Sequence, residues 1–395
     1  MAEEYNNIIQ FSYRALASLI LVNQYRDASG RVGDSSLCIY SYVINRSSYP
    51  SSLFHYAINL YLANPDHSTL LNIGRVEMPD GTVTEKQNIH LPLERHFYLS
   101  GMMGSFPSHN FLRKLPAIEE NPIVHYSSLF SLPVKSDWMP VTVTIHDHPR
   151  SLLADTLYRK ESDSHLKNFY SSIFMKRFYK GAFSLPYLIT VSEHVSNGLY
   201  DFGYRGKVLV VHPPVSDSFN YIHAKEPLRK ELDLPSDKLI ILSVSSEERR
   251  KNLRIIPETL SLLGNDFCLV RVGLPINNCR AFLKVSTDLL NKIYNASDVL
   301  IMPTLEEGFG SPVVEAFKSG LPTVVSDIEI MREVGGDATV FADPTSALSF
   351  ASAIREAIDN STKLREKGLA RSKEFEMPRF SENLRRSYKT ITDNE

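Results

Sequence analysis

The sequence predicts an α/β protein built from two doubly wound, Rossmann-like domains that face each other across a cleft. Three observations lead there. Short β-rich apolar runs alternate with amphipathic helical stretches along most of the 395 residues, the pattern of parallel sheets covered by helices. The alternation breaks once, at HPPVSDSFNYIHAKEP (212–227), and then starts afresh. Apolar residues make up 43% and charged residues 22%, a balance that excludes a disordered or fibrous chain.

In the first half the strand candidates are Cys38–Ile44, Ile123–Ser127, Val141–His146, Tyr187–Ser192 and Lys207–His212. A helix over Ser51–Ala63 carries apolar residues at Leu53, Tyr56, Leu60 and Leu62, and a long aromatic-rich helix lies near Lys160–Phe183. An additional helical stretch, Tyr5–Tyr25, has no evident role, and 75–120 reads as irregular. In the second half strands are expected at Lys238–Val244, Phe267–Val272, Val299–Met302, Thr323–Ser326 and Ala338–Phe341. The helix after the first of these aligns Leu253, Ile256, Leu260 and Leu263, with Pro257 either kinking it or marking its true start. A terminal helix over Arg379–Ile391 carries Phe380, Leu384 and Tyr388 on one face. The expected organisation is a first Rossmann-like domain 1–218, a second Rossmann-like domain 219–376, and a helix 377–395 returning towards the first domain.

Composition narrows the function. Lys+Arg 43 against Asp+Glu 45 gives a formal net charge of −2, so no overall basic field draws nucleic acid to the chain. Cys38, Cys268 and Cys279 form no CxxC pair, which favours a reducing compartment over a disulfide framework. The opening MAEEYNN is not a secretory signal. The apolar stretch Ile8–Val22, interrupted by Gln10, Ser12 and Arg14, is too short and polar to span a bilayer. A soluble, cytoplasmic protein is expected.

The segment richest in chemistry is MPTLEEGFGSPVVEAFKSGLPTVVSD (302–327). A strand ends, a glycine-containing loop follows, and Pro312 stands where a helix begins. Gly308 and Gly310 allow close backbone approach to a ligand, and the N–H groups of Gly310 and Ser311 form a natural phosphate seat. Glu307 on the loop and Glu315 in the first helical turns can accept hydrogen bonds from sugar hydroxyls. Two solvated acids stabilising a helix N-terminus would carry the same spacing, and spacing alone leaves both readings open.

The segment resembles the E-x7-E signature of retaining family-4 glycosyltransferases of the GT-B fold, with Glu307 and Glu315 in the two positions. VSTDLLNKIYNASDVLIMPTLEEGFGSP is similar to the family's run through the signature, with Thr304 in place of a serine. EVGGDATVFADP (333–344) and SSEERRKNLRII (245–256) also resemble family segments, as do VTIHDHP (143–149) and ITVSEHVSNGLYDFGYRGKVLVVHPPVSDSF (189–219). The resemblance covers roughly 120–390.

The resemblance implies a donor nucleotide-diphosphate sugar held against the second domain. Glu315 would hold the ribose hydroxyls and Glu307 the hydroxyls of the transferred sugar. Gly308, Phe309, Gly310 and Ser311 would form the donor loop. Lys251, with Arg250 or Arg249 beside it, would neutralise the diphosphate as the leaving group gathers charge. Ser246 stands where many relatives carry arginine. His146, at the end of a strand, would sit beside the donor sugar, whereas His125 reads as structural and Ser192 as a helix N-cap. Transfer would proceed by front-face attack, the leaving phosphate taking the acceptor's proton.

Consistent with that path, the chain has no nucleophile–base motif, Walker A sequence, GxGxxG fingerprint, Asp-x-Asp or HExxH, so no metal and no cofactor are expected. The Arg-Lys-Asn-Leu variant tilts the donor towards GDP-mannose, with UDP-glucose next. The acceptor would be a carbohydrate or lipid-linked hydroxyl near Ser47–Ser52, a position that lacks the family's glycines. The basic, aromatic helix Lys160–Phe183 reads either as a peripheral membrane contact or as a half-buried helix with a solvated rim. The competing functional reading is a catalytically silent GT-B relative that binds sugar nucleotide or glycan.

Overall fold

The computed structural model describes residues 41–45, 52–64, 68–72, 122–129, 135–149, 179–276 and 279–393. The stretches Tyr5–Tyr25, 75–120, Ser47–Ser51 and most of Lys160–Phe183 therefore lie outside the described residues. The chain divides into two compact units, 1–143 with 385–395, and 144–384.

The first sheet runs in the order β2-β1-β3-β4-β5-β6, all parallel. Its strands are β1 (Ser41–Asn45), β2 (Ser68–Asn72), β3 (Ile123–Tyr126), β4 (Val141–Ile145), β5 (Tyr187–Thr190) and β6 (Lys207–Val210), with helices α1 (Ser52–Leu62) and α2 (Glu193–Asp201). β3 and β4 are buried at every position, as strands covered on both faces must be. In the first unit His125 is fully buried, its Nδ1 2.7 Å from the hydroxyl of Tyr388 on the terminal helix, so the structural reading of this histidine holds.

The second sheet lies wholly in unit 144–384. After helix α3 (Lys225–Glu231) come β7 (Leu239–Val244), α4 (Ile255–Leu263), β8 (Phe267–Val272), β9 (Arg280–Phe282), α5 (Thr287–Ala296) and β10 (Val299–Met302). Then follow α6 (Ser311–Lys318), β11 (Thr323–Ser326), α7 (Glu329–Gly335), β12 (Val340–Ala342), α8 (Ala347–Asp359), α9 (Ser361–Ser372) and α10 (Met377–Thr392). The sheet order is β12-β11-β10-β7-β8-β9, the doubly wound Rossmann order. Ile241, Val299, Ile301 and Val324 from its strands pack with Ile256, Phe350 and Ile354 from its helices, a core that fixes the sheet against α4 and α8. Pro257 sits in the first turn of α4, where its missing N–H costs nothing.

Chain order reverses between β7 and β10, and ligands of open α/β sheets bind beyond the carboxyl ends of the strands at that switch point. The loops leaving there are 245–254 and 303–310. No described helix is long and apolar enough to cross a membrane.

Candidate functional site at the switch point of the second sheet

Beyond β7 the chain makes a short 3-10 turn, Arg249–Lys251, closed by Asn252 in the left-handed conformation at φ 51°. Asparagine tolerates this better than most side chains. Its amide also donates to the Pro344 carbonyl at 2.8 Å, which anchors the turn from below. Arg250 and Lys251 are thereby presented to the neighbouring loop. Leu305 N–H donates to the Arg250 carbonyl at 2.6 Å, and Arg250 Nη1 donates to the Glu306 carbonyl at 3.2 Å.

Glu307 stands between the two cations. Lys251 Nζ donates to its Oε1 and Arg250 Nη1 to its Oε2, both at 2.5 Å. Thr304 Oγ1 lies 3.0 Å from Glu307 Oε1 and from the carbonyls of Arg250 and Glu306. Side-chain exposures of 7% for Glu307, 11% for Arg250 and 12% for Lys251 make this a largely desolvated triad. Burial alone would raise the Glu307 pKa. Lys251 and Arg250 outweigh it and hold the carboxyl below its ordinary value. Glu248 accepts from Arg250 Nε at 2.7 Å, so the two cations are balanced by two carboxylates, and a phosphate would have to displace a carboxylate to reach them.

Glu315 has the opposite character. It lies on α6, where Tyr294 Oη donates to its Oε2 at 2.8 Å. No cation offsets its burial, so desolvation pushes its carboxyl up from the ordinary 4.5 to about 7, against a small lowering by the tyrosine. Tyr294 is itself fully buried and its hydroxyl is held well above the usual phenol value.

The loop between the two carboxylates is tightly held. Ser192 Oγ caps α2 by accepting from Val195 N–H at 3.2 Å and donates to the Gly308 carbonyl at 2.7 Å. His146, one residue past β4, faces Gly308 through its main chain: a Cβ added at Gly308 would lie 1.7 Å from the His146 carbonyl oxygen. Gly308→Ala should therefore lower stability by about 1–3 kcal/mol, since backbone rather than a movable side chain opposes the methyl. A urea melt that matches the wild type would contradict that placement. Gly310 has φ +96°, a conformation that favours glycine, and precedes the exposed Ser311 and Pro312 at the start of α6. Phe309 anchors the loop through its side chain. Its ring is buried against His212 and Phe375, at centroid distances of 5.9 and 5.5 Å, because an exposed phenyl gains most by completing that aromatic cluster.

The structure thus brings together Arg250, Lys251, Glu307, Gly308 and the backbone of His146, while Glu315 stands on the adjoining helix and Arg249 is exposed. Sequence reasoning missed Tyr294 as the partner of Glu315 and gave Thr304 no role. It also passed over His194, whose ring lies 2.7 Å from Glu306 and 3.0 Å from Glu329. Tyr294 and His194 meet their partners only through the fold, whereas Thr304 reaches Glu307 within its own loop. Among the described residues no group of three or more His, Cys, Asp or Glu side chains is placed to hold a metal ion.

Residues 224–374 match the protein family described as glycosyl transferases group 1, a segment that contains the whole triad and Glu315. The O-antigen chain mannosyltransferase RfbU of Salmonella typhimurium is 35% identical over 85 residues, 21% of this chain and 24% of that protein. The chain thus matches about a quarter of that curated relative's length. Among solved structures, sucrose-phosphate synthase of Thermosynechococcus elongatus superposes with a TM-score of 0.65 at 13% identity, covering 90% of this chain and 99% of that one. HepE of Anabaena, in complex with UDP and glucose, superposes with a TM-score of 0.62 at 13% identity, covering 89% and 100%. The fold is GT-B.

Proposed function

We propose that the chain is a retaining, metal-independent glycosyltransferase of family-4 type. It would move a hexose from a nucleotide-diphosphate sugar to a hydroxyl of a carbohydrate or lipid-linked acceptor in glycan biosynthesis. The observation that carries this reading is the desolvated Arg250–Glu307–Lys251 triad at the switch point of the second sheet, one loop away from the buried carboxyl of Glu315. The match of 224–374 to glycosyl transferases group 1 supports the chemistry. The name of RfbU favours mannose and hence GDP-mannose as donor, with the UDP and glucose of HepE favouring UDP-glucose next.

In this reading the diphosphate takes Lys251 and Arg250 from Glu307, and the carboxylate so released accepts from hydroxyls of the donor sugar. Glu315 accepts from the ribose, and N–H groups of Gly310 and Ser311 face the phosphate or the sugar. The bond from the anomeric carbon to the phosphate oxygen breaks while the acceptor oxygen bonds to the same face. The acceptor's proton passes to the departing phosphate oxygen. Lys251 and Arg250 stabilise the charge gathering there, and His146 stands beside the developing cation. A cytoplasmic setting belongs to the same reading, with Cys268 and Cys279 as free thiols.

The test is calorimetric binding of UDP, GDP and ADP, followed by donor turnover with sugars of the preferred base. One nucleotide should bind clearly better than the others, and Glu315→Ala should weaken the binding of all three, because the ribose it would hold is common to them. Binding without turnover of any donor would favour the silent relative, and no nucleotide binding at millimolar concentration would remove the reading.

A further inference from the structure

Helix α2 begins in a group of charges that the triad does not use. Its first two backbone N–H groups, of Glu193 and His194, donate to Glu333 Oε1 and Oε2 at 2.8 and 3.0 Å. His212 Nε2 lies 2.8 Å from the same Glu333 Oε1. The His194 ring lies between two further carboxylates, with Nε2 2.7 Å from Glu306 Oε1 and Nδ1 3.0 Å from Glu329 Oε2. A neutral imidazole has one N–H to give, whereas two carboxylates can only accept, so this geometry suits an imidazolium that donates from both nitrogens. Its side chain is 12% exposed and that of Glu306 18%, which strengthens this contact relative to surface pairs, whereas Glu329, at 64%, is solvated and makes the weaker one.

Glu306 is the residue before Glu307, and its loop is the one that Ser192, also at the start of α2, holds through the Gly308 carbonyl. The N-terminus of α2 thus grips the loop on both sides of Glu307. We propose that His194 is a positioning residue for Glu307: as an imidazolium it ties Glu306 to Glu329 on α7, and loss of its proton releases the 304–308 loop. The inference rests on the proposed role of Glu307, but its test does not require a donor.

The groups facing His194 account for the direction of its titration. Burial disfavours the charged ring, but Glu306 and Glu329 outweigh it and raise the His194 pKa above the ordinary histidine value. Glu333 adds negative charge beneath the helix start, with His212 on its other side. His148 stacks on His194 at 4.8 Å and opposes the charge only when it is itself protonated. With the folded pKa raised, the tie is complete below the ordinary histidine pKa. It is lost as pH rises through the higher folded value.

Hydrogen exchange of the full chain without ligand, followed over peptides covering 303–311 across this pH range, tests the proposal. Histidine nitrogen NMR tracks the protonation of His194 in parallel. Protection of 303–311 should fall about tenfold as His194 deprotonates. His194→Gln should exchange at the faster rate at every pH, and His194→Arg should stay protected throughout. Exchange that ignores the His194 titration in the wild type would overturn the proposal, and that arm needs no variant. An arginine variant as unprotected as the glutamine one would overturn it too, because charge would then not be what holds the loop. Absence of nucleotide binding would instead remove the proposed function and leave this result standing.

Discussion

Glu307→Gln is expected to cost about 3–5 kcal/mol of stability and to lower turnover by roughly 10²–10³. The size follows from what the substitution leaves behind. Lys251 and Arg250 are 12% and 11% exposed, and both face the Glu307 carboxyl at 2.5 Å. An amide keeps the shape but removes the charge, so the nearly desolvated Lys251 loses its carboxylate partner while facing Arg250, whose Nε still pairs with Glu248 at 2.7 Å. Lys251→Met alone should cost less, because one ion pair with Arg250 survives it. The double variant Lys251→Met/Glu307→Gln should cost less than the two single costs combined, since each change removes the reason the other is harmful. A double-mutant cycle by urea unfolding measures that coupling, and additive costs would contradict the triad. The wild-type pH profile carries the same information. The folded pKa of Glu307 is depressed, so its contribution is complete above the ordinary carboxylate value and is lost as pH falls through the lower folded one.

Why the sequence announced some of this and not the rest is a matter of range. β10 is legible because a strand buried on both faces reads as the unbroken apolar run Val299–Met302. β8 and β11 are legible over their full extents from short β-branched apolar runs, although β8 carries Arg271 and β11 is bounded by Thr323 and Ser326. β2 and β9 were missed. Each is a sheet edge, and β9 has only three residues, Arg280–Phe282, whose strand conformation comes from pairing with Val270–Val272 rather than from local pattern. Strands β4 and β5 end one and two residues earlier than their apolar runs suggest, because His146 turns away and Ser192 becomes the cap of α2.

The site divides in the same way. Glu307, Gly308, Gly310 and Glu315 fall within nine residues of one loop and helix start, so local spacing exposes them. Arg250 and Lys251 lie 57 and 56 residues from Glu307 and meet it only because β7 and β10 are neighbours in the sheet. His194 is 112 residues from Glu306, and no periodicity connects them. Tyr294 points at Glu315 from a helix whose pattern announces only a buried face.

Glu315→Gln should have the second large effect, and its two consequences run in opposite directions. The carboxyl of Glu315 is pushed from 4.5 to about 7 by burial, and the hydrogen bond from Tyr294 recovers only part of that cost. A carboxyl with a raised folded pKa is harmless while protonated in both states. It destabilises the fold as pH climbs between the two values, and the whole penalty is present above the folded one. From 4.5 to about 7 the penalty is roughly 3 kcal/mol, at about 1.4 kcal/mol per tenfold change in proton affinity. Glutamine removes the ionisation and can still accept from the Tyr294 hydroxyl. The variant should therefore melt higher than the wild type at pH 8 and match it only at about pH 4 and below, where the carboxyl is protonated in both states. Equal melting temperatures at pH 8 would mean that the carboxyl is solvated. On the role proposed for Glu315, the same variant should bind nucleotide less well, because an amide is a weaker acceptor for two ribose hydroxyls than a carboxylate. A residue whose replacement stabilises the fold while weakening its ligand is retained for the ligand. Thermal melts and calorimetry on one protein preparation, at pH 4 and pH 8, separate that case from a purely structural acid, for which both quantities would fall together.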